Sequence, residues 1–314
     1  MKPVAGKSSL SDLVDMDDPR SVLAEVLRIL RLISKDFDPR WVRAAYADMV
    51  RLFRGRYPGY QACNTEYHDI GHTTDTVLAT VRLMHGASAK GRRFSGREID
   101  LAVISAVFHD AGYIQAADDT EGTGAKYTAV HVDRSIDFAA RYFRERGFPK
   151  DYPKISAAIM GCTGINVKIS GIKFESGAIE LLGKMLGAGD LLGQMAAANY
   201  LEKLLFLFYE FQEGRIPGFS DEFDLLKKTL DFYKVTRKRL AGDFGSVDRF
   251  MRPHFRSRWG LDRDLYDEAI RSHMTHLKEL IRSHPDDYRR FLRQEGLSKK
   301  LRRIHGGRPG RVRA

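Results

Sequence analysis

Residues 101–113 read LAVISAVFHDAGY. The Ser95-Gly-Arg-Glu98 capping box ahead of them opens a helix, and Ile99 to Phe108 supply its apolar body. That body runs straight into His109-Asp110. Adjacent helical residues point about 100° apart, so both side chains approach one centre only near a helix end. Ala111-Gly112 supplies that end. A carboxylate in apolar surroundings is costly unless it is paired or bound to a metal.

Working outward, the chain reads as helix after helix. Asp18-Pro19 is an N-cap followed by proline at the first helical position, and Val22, Leu23, Val26, Leu27 and Leu30 recur at helical spacing. Asp38-Pro39 repeats the signal before Trp41, Ala45, Met49 and Phe53. Helices are expected over residues 127–146, 153–161, 220–240 and 262–283, and over 177–211 with a break near Gly187–Gly189. The alternation NVKISGIKF at 166–174 suits a short hairpin. The expected fold is an all-α bundle with additional C-terminal helices and a basic tail. The expected parts are N-terminal helices (1–54), a core (55–200), a helical extension (201–285) and a tail (286–314).

Composition narrows the class. Of 314 residues, 43% are apolar and 30% charged, which excludes a disordered chain. The two cysteines, Cys63 and Cys162, cannot build a disulfide framework, and a reducing, cytoplasmic setting fits. The N-terminus has no apolar h-region, and no run approaches the ~20 apolar residues of a membrane span. The net charge of +11 is local, because ten Lys/Arg and one acid fall in residues 289–314. The body is nearly neutral, so the pI does not make it a nucleic-acid-binding globule. The tail, Arg289 through Arg313, can contact polyanions by counterion release.

Two more polar oddities accompany His109-Asp110. Asp190 sits among Leu186, Leu191, Leu192 and Met195, with Gln194 one turn on. His68 and His72, in YHDIGH, lie four apart and share a face if helical. Two imidazoles and two carboxylates suit Zn, Fe, Mn or Ni, and Mg when carboxylate and water dominate. Each residue alone has a plainer reading as a core histidine, a cap or a buried N-cap. The ordered set is much more specific than its parts.

That set, Y-H-x-x-x-H, then F-H-D-x-G-Y, then a late Asp in GDLLGQ, resembles the HD-domain metal-dependent phosphohydrolase superfamily. The resemblance spans residues 57–199 and implies a helical bundle with a divalent ion in its core. It implies His72, His109, Asp110 and Asp190 as metal ligands, with Asp110 orienting the water. The YH start is similar to the Y-H-N-x-x-H segment of cyclic-nucleotide phosphodiesterases, which implies His68 as general acid. Asp69 stands where those enzymes have Asn, and Tyr113 where they have a second His. The chain therefore looks more like the broad HD hydrolases with an F-H-D-x-G-Y centre. The implied activity is hydrolysis of a small, phosphorylated, nucleotide-like substrate. His131, Asp69, Tyr113 and Gln194 are candidates for a second metal or for substrate.

Two rival readings stay open. Some HD-fold proteins are di-iron oxygenases, which need more ligands beyond His131 than this sequence offers. A regulatory or nucleic-acid-binding protein would rely on the basic tail. Elsewhere, His273 and His276 read as surface residues, His85 as a helix-end residue and Cys162 as a small buried hydrophobe.

Overall fold

A computed structural model describes residues 9–292. Among them are eleven α-helices and no strand, so the fold is all-α. The helices are α1 (Pro19–Ile33), α2 (Arg40–Phe53), α3 (Ile70–Ser88), α4 (Gly96–Phe108), α5 (His131–Glu145) and α6 (Tyr152–Met160). They continue with α7 (Gly177–Ala196), α8 (Tyr200–Glu213), α9 (Glu222–Ala241), α10 (Met251–Trp259) and α11 (Leu265–Ser283).

Local chemistry sets the starts. The Asp18 side chain accepts from Arg20 N at 3.0 Å, and Pro19 needs no partner at the first position of α1. The Ser95–Glu98 box caps α4 as its sequence implies. Helix α3 is buried on almost every face, the mark of a central helix. Thr73, Thr74 and Thr80 donate their hydroxyls to backbone carbonyls three or four residues back, as Thr80 Oγ1 does to Thr76 O at 2.8 Å.

Helices α3 and α7 form the central pair. α1, α4 and α10 also pack on α3, while α6 and α11 also pack on α7. One hydrophobic core runs from Leu13 to Leu292 through all of them.

Four expectations need correction. Helix α7 does not break at Gly187–Gly189. It runs to Ala196, and the interruption falls at residues 197–199. The glycines serve close approach instead, since a Cβ on Gly189 would lie 2.5 Å from Thr80 Oγ1. The 166–174 segment holds a single 3-10 turn, Ile169–Gly171, and no hairpin. Helix α5 starts at His131, because residues 124–127 form a separate 3-10 turn. His273 is buried, with Nδ1 2.9 Å from Met195 O.

The start of the basic tail is folded too. Tyr288–Arg290 is a 3-10 turn, and Arg289 Nε donates to the fully buried Glu222 at 2.9 Å. The remaining tail positions, from Arg293 on, lie outside the described residues.

Candidate metal centre

His72 lies in the first turn of α3, His109 at the C-cap of α4, Asp110 just beyond it, and Asp190 midway along α7. The packing of three helices brings the four together. His72 Nε2 is 3.0 Å from Asp110 Oδ2 and 3.2 Å from Asp190 Oδ1. His109 Nε2 is 3.3 Å from Asp110 Oδ2, 3.8 Å from Asp190 Oδ1 and 3.4 Å from His72 Nε2. The two histidines and Asp110 are almost wholly buried, and Asp190 is slightly exposed.

The separations among His72, His109 and Asp110, and from His72 to Asp190, match a shared ion. Ligand atoms about 2.1 Å from a metal stand about 3.0–3.4 Å from one another in octahedral or tetrahedral arrangement. Asp110 Oδ2 is buried without a hydrogen bond of good geometry, although two imidazole nitrogens face it. A donor set aimed at a common point leaves such an orphan. His109 Nδ1–H donates to Ala106 O at 2.8 Å, which turns the Nε2 lone pair toward the cluster. His72, His109 and Asp110 thus form a group that can hold a metal ion.

In the absence of an ion, protons take its role. Burial opposes a charge on His72, but the carboxylates of Asp110 and Asp190 overcome it and raise its pKa to about 10. His109 is raised against the same opposition, chiefly by Asp110. Asp110 is held well below the usual carboxylate range: burial would raise it, and the two imidazoles outweigh that.

The turn after α4 brings in a third imidazole. A Cβ on Gly112 would lie 2.0 Å from His131 O, so only glycine lets α5 begin this close to the cluster. Gly112 N donates to Ser135 Oγ at 2.8 Å and fixes the contact. His131 Nδ1–H donates to Thr128 O at 2.7 Å, and its Nε2 lies 3.8 Å from Asp110 Oδ1. Asp110 therefore presents one oxygen to His72 and His109 and the other to His131.

His68 lies in the turn ahead of α3 and so shares no helical face with His72. It still reaches the site, with ring centroids 5.5 Å apart. Tyr113 stacks between His68 and His131, at 4.2 Å and 4.6 Å between centroids. Its hydroxyl is 3.4 Å from His68 Nε2.

Two other candidates have local tasks. Asp69 caps α3 by accepting from His72 N at 2.9 Å, and it pairs with Lys203 Nζ at 2.7 Å. Gln194 Oε1 accepts from Tyr67 OH at 2.6 Å, and its amide donates to Asp190 O at 3.2 Å.

Glu210, on α8, was absent from the sequence reading. Its Oε2 lies 2.6 Å from His68 Nδ1, and its Oε1 accepts from the Glu66 and Tyr67 amides at 2.8 Å and 2.6 Å. The available signal was a glutamate on the buried face of an apolar helix, the same oddity that marks Asp190.

Residues 117–240 match the Npun_R2479-like family. The match covers less than half of the chain. It includes His131, Asp190 and Glu210 and leaves out His72, His109 and Asp110. No curated protein and no solved structure matches the chain.

Proposed function

We propose that the chain is a metal-dependent hydrolase of phosphoesters, acting on a small, nucleotide-like substrate. One observation carries the reading: the Nε2 atoms of two buried imidazoles, His72 and His109, each lie 3.0–3.8 Å from carboxylate oxygens of both Asp110 and the slightly exposed Asp190. The resemblance to HD phosphohydrolases supports the reaction class. His72, His109, Asp110 and Asp190 would hold a divalent ion, and their chemistry suits Zn, Fe, Mn, Ni or Mg. A bound ion supplies Lewis-acid chemistry, acidifying a water and polarising a phosphoryl oxygen.

The remaining roles fall to the chain itself. Asp110 orients the water through the oxygen that faces His131. Glu210 accepts a hydrogen bond from His68 Nδ1–H, so in the doubly protonated ring the second proton sits on Nε2, at the site. His68 Nε2 passes a proton to the leaving oxygen. Tyr113 stacks on the His68 ring and limits its rotation.

His131 beside the second Asp110 oxygen favours room for a second ion. It is also the observation that keeps a di-iron oxygenase as the alternative.

Elemental mass spectrometry of the purified chain and of His109→Ala, with hydrolysis of bis(4-nitrophenyl) phosphate and 4-nitrophenyl phosphate, tests the reading. About one metal per chain, lost with activity in the variant, is expected. Equal metal and equal hydrolysis in both proteins would sink it. Two irons with a mixed-valence signal would favour the oxygenase.

A further inference from the structure

Away from the metal cluster, α5, the last turn of α2 and the segment that follows it line an open cleft of about 410 Å³. That volume falls within the roughly 300–1,000 Å³ of small-ligand sites. One wall is a helical stripe of α5: Phe138, Arg141, Tyr142 and Glu145. The other holds Arg51, Tyr57 and Tyr60.

The aromatic floor is organised edge to face. Tyr60 meets Phe138 with centroids 5.4 Å apart and meets Tyr57 at 6.0 Å. Both tyrosines are only partly buried, so ring surface remains open to a planar guest.

The charged rim is held from below. Asp48, 4% exposed, accepts from Arg51 Nη1 at 3.0 Å and from Tyr142 OH at 3.2 Å, and it also pairs with Arg146. One buried carboxylate thus fixes two guanidiniums at the mouth. Arg141 donates to Tyr60 OH and pairs with no carboxylate among the described residues. Three arginines face two acids here, Asp48 and Glu145, which leaves the cleft cationic.

Fixed guanidiniums bind phosphate well, and open aromatic faces stack a base. We propose that this cleft binds a mononucleotide-like anion, with its base against Tyr57 and Tyr60 and its phosphate on Arg141. The site is distinct from the metal centre. His131 opens α5 and Arg141 follows ten residues on, about 15 Å along the axis. The inference does not depend on the chain being a hydrolase.

Equilibrium dialysis of the full-length protein with AMP, adenosine and inorganic phosphate tests it, with AMP checked intact afterwards by chromatography. AMP should bind more tightly than either fragment. Arg141→Ala, an exposed substitution, should weaken AMP by about tenfold or more, the loss expected for one charged hydrogen bond. Tyr60→Leu should weaken AMP and leave phosphate unchanged. His109→Ala should retain saturable AMP binding that depends on Arg141. No saturable AMP binding overturns the proposal, as does binding that survives Arg141→Ala. Loss of binding in His109→Ala also overturns it, by assigning the nucleotide to the metal cluster.

Discussion

Glu210 Oε2 lies 2.6 Å from His68 Nδ1, across 142 residues of sequence. The contact ties α8 to the turn ahead of α3 and gives one carboxylate two tasks. It orients an imidazole, and it accepts hydrogen bonds from two backbone amides. Glu210→Gln keeps the volume and removes the charge. Hydrolysis should fall by about 10- to 100-fold, the range met when a partner orienting an imidazole is lost. His68→Ala should cost about 10²- to 10⁴-fold, as for other acid–base residues. Stability of Glu210→Gln should fall by about 1–3 kcal/mol as its amide partners lose a charged acceptor. Steady-state kinetics with urea unfolding separates the two tasks. A variant that is destabilised yet fully active would reduce Glu210 to a brace.

The legible parts of this molecule are those with a local cause. Asp18-Pro19 and the Ser95–Glu98 box act through neighbouring amides, so sequence alone places those helix starts. The end of α4 at His109-Asp110 was legible for the same reason. Gly187–Gly189 misled because glycine has two uses. It breaks isolated helices, and it also lets two helix backbones approach. Only the position of Thr80 on a separate helix distinguishes the two. Glu210 was missed because its partner, His68, is remote in sequence.

His85 and His254 face each other through Nδ1 atoms 2.9 Å apart in a buried contact between α3 and α10. One must donate and the other accept, so the pair is made for neutral rings. Burial, with Arg258 nearby, lowers His85 to about 4. Burial, Arg82 and His85 itself lower His254 well below its ordinary value. Both folded-state pKa values lie below the unfolded value of about 6.5. Their contribution to stability is therefore present above about pH 6.5 and is lost as pH falls through about 4. His85 alone accounts for on the order of 3 kcal/mol. Urea unfolding at pH 7.5 and 4.5 should show a smaller acid loss in the His85→Gln/His254→Phe double variant than in the wild type. Equal losses would remove the pair from the acid response.

Asp100, on α4, gives a pH dependence of the opposite sense. Burial, and then the Asp38 carboxylate, raise its pKa from 3.8 to about 7, and its Oδ1 has no hydrogen bond. The folded state disfavours the ionised form. The stability associated with this group is full below pH 3.8 and declines as pH rises through about 7. Asp100→Asn removes the charge, so it should be more stable than the wild type at pH 8, and the gain should vanish near pH 4. Discounted for partial exposure, the gain is about 1–2 kcal/mol. Thermal melts at the two pH values measure it. A variant less stable at both would mean that the carboxylate has a partner it needs.

Gly189 couples packing to the candidate metal centre. A Cβ there would meet Thr80 Oγ1 at 2.5 Å and Thr80 N at 3.0 Å, and only the hydroxyl could rotate away. The α3 backbone must therefore retreat from α7. Gly193, one turn further on, faces the Asp75 and Thr76 backbone at 3.0–3.1 Å and would resist in the same way. The neighbouring Asp190 is the α7 member of the cluster, 3.2 Å from His72 on α3. Gly189→Ala should cost about 1–3 kcal/mol, the range for overpacking a tight core. It should also weaken metal retention, although no ligand is changed. Gly177→Ala is the control. It lies at the start of the same helix with nothing within 4 Å of an added Cβ, and it should leave both stability and metal content intact. Melting temperature and metal content on all three proteins decide the point. A Gly189→Ala protein that is less stable yet retains full metal would show that the cluster tolerates a shift of α7.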